Sequence, residues 1–156
     1  MIAAFRWVTA AAIAAAISLG GPPSIAAPDD PIAFAKTLYA LPQLWMSIVT
    51  TPDGRNEYLT PALAGWVVDV DGNFVDYLEY DPLADSRSFR VSDASFALAG
   101  VDAFGTRVKV DFKNREGDHS VTLRLANSAG RWRLADIDFP DGRTLIKDLQ
   151  LAVLCR

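Results

Sequence analysis

Between Thr106 and Ala126 the apolar residues fall on every second position, and this alternation constrains the fold of the chain more than any other feature. The segment "TRVKVDF" alternates through Val108, Val110 and Phe112, and "SVTLRLA" through Val121, Leu123 and Leu125. A period of two sends successive side chains to opposite faces of a strand, so each segment carries one apolar and one polar face. The intervening "KNREGDHS", residues 113–120, is polar and contains Gly117, which predicts the tip of an antiparallel hairpin. A sheet with one apolar face needs a cover, and that cover has to come from another part of the chain.

The first half supplies it. Asp30-Pro31, Thr60-Pro61 and Asp81-Pro82 each place an N-cap acceptor before a proline, whose missing N–H costs nothing at the first helical position. After Pro31, the residues Phe34, Leu38, Leu41, Trp45 and Ile48 recur at helical spacing, and Pro42 within them predicts a kink or a division. After Pro61, Leu63, Trp66, Val67 and Val70 form a shorter stripe, with "TTPDGRNE", residues 50–57, as the turn between the two helices. Upstream of the hairpin, "SFRVSDASFALAG", residues 88–100, reads as an edge strand with Phe89 and Val91 in phase.

Downstream, "GRWRLADIDFPDGRTLIKDL", residues 130–149, poses a parity problem. Trp132 and Leu134 share one phase while Ile137 and Phe139 share the other, so a straight strand cannot bury all of them on one face. Either a bulge near Ala135-Asp136 restores the register, which is the preferred reading, or the strand is buried on both faces; Asp136 and Asp138 are expected to be solvated. Pro140-Asp141-Gly142 then turns the chain into a final helix with Leu145, Ile146, Leu149 and Val153 on its apolar face. The expected fold is α+β: N-terminal helices packed on a curved antiparallel sheet of about four strands, with a short C-terminal helix.

The N-terminus reads differently. Arg6 is the only charge before Asp29, and "WVTAAAIAAAISL", residues 7–19, is an unbroken apolar and small stretch. It is shorter than the ~20 residues of a membrane-spanning helix. "GGPPSIAA" follows, with small residues at Ser24 and Ala26, so residues 1–26 read as a secretory signal peptide and 27–156 as a single α+β domain. No stable membrane span remains after cleavage. No cysteine stands directly after the apolar run, which argues against a lipid anchor, and the expected location is exported and periplasmic. Cys155 is the only cysteine, so an intramolecular disulfide is excluded.

Charge narrows the partners. The formal net charge is −4, which argues against a nucleic-acid binder. Residues 27–86 hold ten acids and two bases, whereas residues 87–156 hold nine acids and twelve bases. The acidic half motivates a polar interface with an envelope protein, and an exposed sheet face favours a homodimer.

Familiar catalytic arrangements find little material here. His119 is the only histidine, placed in the expected hairpin tip, so neither a conventional triad nor a His/Cys zinc site can be assembled from what is present. Asp69, Asp71 and Asn73 alternate as in a calcium loop, but Phe74 and Tyr80 stand where an EF-hand requires Gly and Glu. No metal, no cofactor and no catalytic residue is therefore assigned.

Three blocks, "YLTPALAGWV" at 58–67, "EYDPLADSRSF" at 79–89 and the 130–149 stretch, resemble in order and spacing the bacterial domain of unknown function 3828 family, over roughly residues 30–150. That family is similar in architecture to the nuclear transport factor 2-like superfamily. The resemblance implies an exported cone-shaped α+β domain, and brings no catalytic residues. The expectation is a non-enzymatic binding domain for a small apolar or lipid-like ligand, with Trp45, Trp66, Tyr77, Tyr80 and Asp81 as candidate ligand-binding residues. Two alternatives stand beside it: a protein-interaction or inhibitor-type envelope accessory domain, and an isomerase- or hydratase-like enzyme using Asp76 or Asp81 with Tyr77 or Tyr80.

Overall fold

Each of the first helices that follows an N-cap acceptor and a proline is held by the side chain of that acceptor. In a computed structural model describing residues 30–155, Asp30 accepts from the Ile32 amide at 3.0 Å and opens α1, Pro31–Tyr39. Thr60 accepts from the Leu63 amide at 3.3 Å and opens α4, Pro61–Gly65. Thr51 does the same for Gly54 at 3.0 Å and opens α3, Pro52–Tyr58, where the sequence suggested only a turn. Thr51-Pro52 carries the same signature as the other two, but its helix is short and polar and lacks an apolar stripe. The expected signal peptide and its cleavage position lie outside the described residues.

Pro42 divides the first helical stripe as expected, and α2 resumes over Leu44–Val49. The second stripe is shorter than its spacing suggested: Leu63 and Val67 are buried but Val70 is fully exposed. The chain reverses there, because the Asp69 carboxylate accepts from the amides of Asp71 and Asn73 and Gly72 takes a φ of 81°. Those amides hold the Asp69 carboxyl below its ordinary range. Asp81-Pro82 opens a tight turn closed by an Asp81–Ser86 bridge, with Asp85 at a φ of 44°, and no helix follows it.

The sheet is antiparallel in the order β1-β2-β3-β4. Its strands are β1 Ser92–Asp102, β2 Gly105–Asn114, β3 Gly117–Ser128 and β4 Arg131–Asp138, followed by α5, Leu145–Leu154. The β2–β3 turn is tighter than expected, with only Arg115 and Glu116 between the strands, so His119 lies within β3 opposite Phe112. Phe89, expected in β1, precedes the strand and is half-exposed. In β4 the conflict of parity is resolved by a bulge at the expected place. Leu134 pairs with Leu125 and Asp136 with Arg124, leaving Ala135 as the extra residue. Leu134, Ile137 and Phe139 are consequently all buried.

Two layers enclose the core. Val108, Val110, Phe112, Val121, Leu123 and Leu125 from the sheet meet Phe34, Leu38, Ile48, Val49 and Leu63 from the helices. Leu145 and Leu149 of α5 close it, whereas Val153, expected on the same face, is 39% exposed. Asp136, expected to be solvated, is buried and accepts from the backbone amides of Ile137 and Ile146, so it caps α5 from the neighbouring strand. Arg55 is buried without a carboxylate: it donates to the Val49 carbonyl at the end of α2 and to the Gly72 carbonyl in the reversing turn. Strand β1 extends beyond the helical layer, leaving Leu98, Val101 and the adjoining Phe104 exposed.

Candidate functional site

Of the candidate ligand-binding residues, Trp45, Tyr80 and Asp81 line one cleft of about 220 Å3, together with Asp76, Met46, Leu78 and Phe89. Trp66 and Tyr77 do not line it; each is partly buried against the core. The cleft is smaller than the ~300–1,000 Å3 typical of small-molecule sites, and its polar groups are already engaged. Asp81 accepts from the Trp45 amide at 3.0 Å through one oxygen and from the amides of Leu83 and Ala84, at 2.9 and 3.3 Å, through the other. Burial pushes its pKa up to about 6, with those amides pulling the other way. Asp81 therefore caps no helix of its own; it accepts from the first turn of α2, across 36 residues of sequence, as well as from its own turn.

Tyr80 is similarly occupied. Its hydroxyl donates to Asp148 of α5 at 2.5 Å, and burial together with that carboxylate raises its pKa well beyond the ordinary tyrosine range. Arg143 knits this corner, with Nη1 2.9 Å from Asp148, Nη2 3.2 Å from Asp85 and Nε 2.6 Å from Asp141. Its guanidinium also lies over the rings of Tyr80 and Phe139. Asp85 in turn faces His119 at 3.9 Å. His119 stacks on Phe112 with ring centroids 6.0 Å apart, so it is a half-buried strand residue, where the sequence suggested a solvated turn. The Asp81 and Tyr80 polar atoms are spent on the chain's own structure, so neither is a free member of an Asp/Tyr proton-transfer pair; Asp76, the other acid weighed for that role, lines the same cleft.

A larger groove lies on the neighbouring face. It measures about 560 Å3 and runs between the α1–α2 connection and the segment entering β1. Its apolar wall is Tyr39, Leu41, Pro42, Leu44, Phe89 and Val91, and Arg90, Lys113 and Arg115 stand along it. Pro42 creates the gap by ending the helical stripe early, and Tyr39 is fixed by donating its hydroxyl to the Leu83 carbonyl at 2.8 Å. Edge-to-face packing of Tyr39 on Phe96, at 5.5 Å, ties the groove floor to β1. None of the candidate ligand-binding residues, Trp45, Trp66, Tyr77, Tyr80 and Asp81, lines this groove. Its parts come from three separate segments, and the one local signal, Arg90 between Phe89 and Val91, reads equally well as an ordinary edge strand.

Among the described residues no group of three or more His, Cys, Asp and Glu could hold a metal ion, and no helix is long and apolar enough to cross a membrane. No family model matches the chain, and no curated protein does. Among solved structures the chain is similar to a protein of unknown function from Bacteroides thetaiotaomicron, with a TM-score of 0.44 and 15% identity over 68% of this chain and 86% of that one.

Proposed function

We infer that the chain is an exported, non-enzymatic binding domain for a small apolar or lipid-like molecule, and that the ligand lies in the groove between the α1–α2 connection and β1. The supporting observation is the groove itself. At about 560 Å3 it falls within the range of small-molecule sites, and Phe89 on its wall is 50% exposed. Export and membership of the domain of unknown function 3828 family belong to the same proposal, resting on the N-terminal composition and the three sequence blocks. Binding of an environment-sensitive apolar dye to the purified protein tests the groove. The expected result is binding that Phe89→Ser and Leu41→Ser each weaken about tenfold or more and that Trp66→Phe leaves unchanged. A dye signal insensitive to both groove substitutions overturns the placement.

A second reading, as a protein-interaction domain, is favoured by β1. Among the described residues this edge strand leaves one side of its backbone without a strand partner, and Leu98, Val101 and Phe104 stand 56%, 71% and 80% exposed on and beside it. Such an edge is a template for pairing with another strand, a second copy included. Sedimentation of the purified chain is expected to show a concentration-dependent dimer that Val101→Lys abolishes. A monomer at every concentration counts against self-association.

A further inference from the structure

The charge along the groove is opposite to that of the chain as a whole. The net charge is −4, yet Arg90, Lys113 and Arg115 all line the groove and no carboxylate does. Lys113 stands 3.7 Å from Asp93, and the nearby Arg87 pairs with Glu79 at 2.9 Å. Arg90 and Arg115 differ, for neither forms an ion pair among the described residues. They sit on different loops, one before β1 and the other in the β2–β3 turn, and both come to the groove because β1 pairs with β2 from Ser92 opposite Lys113. Two exposed guanidiniums without carboxylate partners beside an apolar wall satisfy the two ends of one kind of molecule. An alkyl or ring body covers Phe89, Leu41 and Tyr39, while an anionic head takes charge-assisted hydrogen bonds from the arginines.

Building on the binding reading above, we propose that the ligand of this groove is a small amphiphile with an anionic head, carboxylate or phosphate, recognised by Arg90 and Arg115 with Lys113 beside them. The apolar contact provides most of the affinity, and the cations select for charge and orient the ligand. Carboxylate and phosphate heads share this chemistry; the bidentate geometry of arginine suits both.

The test is a calorimetric comparison of probes with one alkyl chain and different heads, below their micellar concentrations: dodecanoate, dodecyl phosphate, dodecanol and dodecylammonium, with inorganic phosphate alone as the control that carries a head and no chain. At low salt the two anionic amphiphiles are expected to bind about tenfold or more tightly than the alcohol and the ammonium. The advantage should shrink with added salt and disappear in the Arg90→Glu/Arg115→Glu variant. Both side chains are exposed, so an unchanged melting temperature shows that the variant is folded; should the double variant not fold, the single substitutions Arg90→Gln and Arg115→Gln carry the same test. Equal binding of all four amphiphiles overturns the anionic head and leaves the binding reading in place. An anion preference untouched by the arginine substitutions also overturns it, as does inorganic phosphate binding as tightly as dodecyl phosphate. Absence of binding by every amphiphile overturns both the head and the groove reading.

Discussion

The Asp81 carboxylate accepts a hydrogen bond from the backbone amide of Trp45 at 3.0 Å, joining the first turn of α2 to a turn 36 residues further along the chain. Through its other oxygen it also holds Leu83 and Ala84. One side chain therefore fastens the helical layer to the loop that leads into the sheet.

This group makes stability depend on pH. Burial raises the Asp81 pKa from an ordinary 3.8 to about 6, so between those values the folded state holds the proton more firmly than the unfolded state. Its contribution is complete below 3.8 and is lost as pH rises through about 6, a difference on the order of 3 kcal/mol. Thermal melting of Asp81→Asn between pH ~4 and ~7 is expected to lack that part of the dependence. An identical pH profile in the variant would show that another group is responsible.

Asp136 offers a stability prediction that the sequence would not suggest. Because it is buried and accepts from the amides of Ile137 and Ile146, Asp136→Ala removes an acceptor from the first turn of α5. A loss of ~1–2 kcal/mol is expected, within the range for removal of a cap. Hydrogen exchange should localise the weakening to α5. A loss spread evenly over the sheet would contradict the capping role.

Arg143 balances several carboxylates at once. Asp85 and Asp148 have side chains only 19% and 14% exposed, so Arg143→Met leaves two shielded acids without their cation. Because the guanidinium itself is 41% exposed, solvent screening limits the cost, and ~1–3 kcal/mol is expected. Arg143→Lys should recover only part, since a lysine has no planar fork to bond three carboxylates at once while standing over the Phe139 ring. Full recovery by lysine in chemical denaturation would mean that charge alone matters there.

Two helical glycines should respond in opposite directions. A Cβ on Gly54 would stand 2.5 Å from the Ile48 carbonyl oxygen, a backbone atom that cannot yield. Gly54→Ala is therefore expected to destabilise by ~2 kcal/mol or more despite the better helix propensity of alanine. A Cβ on Gly65 meets nothing within 4 Å, and Gly65→Ala should stabilise by up to ~1 kcal/mol. Equal melting temperatures for the two variants would refute the close approach of α2 and α3.

Local chemistry made much of the architecture readable. Alternation through Val108, Val110, Phe112, Val121, Leu123 and Leu125 determined the central hairpin, because a pleated strand must place alternate residues on one face. The conflicting parity of Leu134 and Ile137 pointed to a bulge or to burial on both faces, and the bulge is found at Ala135. An acceptor before proline determined where α1 and α4 begin, and Pro42 where the first helical stripe breaks. The same signature at Asp81-Pro82 opens no helix, because its side chain serves a distant one, whereas Thr51-Pro52 opens α3 although no apolar stripe accompanies it.

The candidate site belongs to tertiary structure. Composition drew attention to the acidic and aromatic run from Asp76 to Asp85, but folding spends Asp81 on backbone amides and Tyr80 on Asp148. Leu41, Phe89 and Arg115 become neighbours only when the helical layer closes on the sheet and β1 pairs with β2. Sequence alone determined which residues each element must bury, since that follows from backbone geometry within a few positions. Which polar groups would be used up in holding the layers together, and which would remain facing a groove, was decided by packing, because hydrogen-bond partners across 36 residues or more leave no periodic trace in the chain.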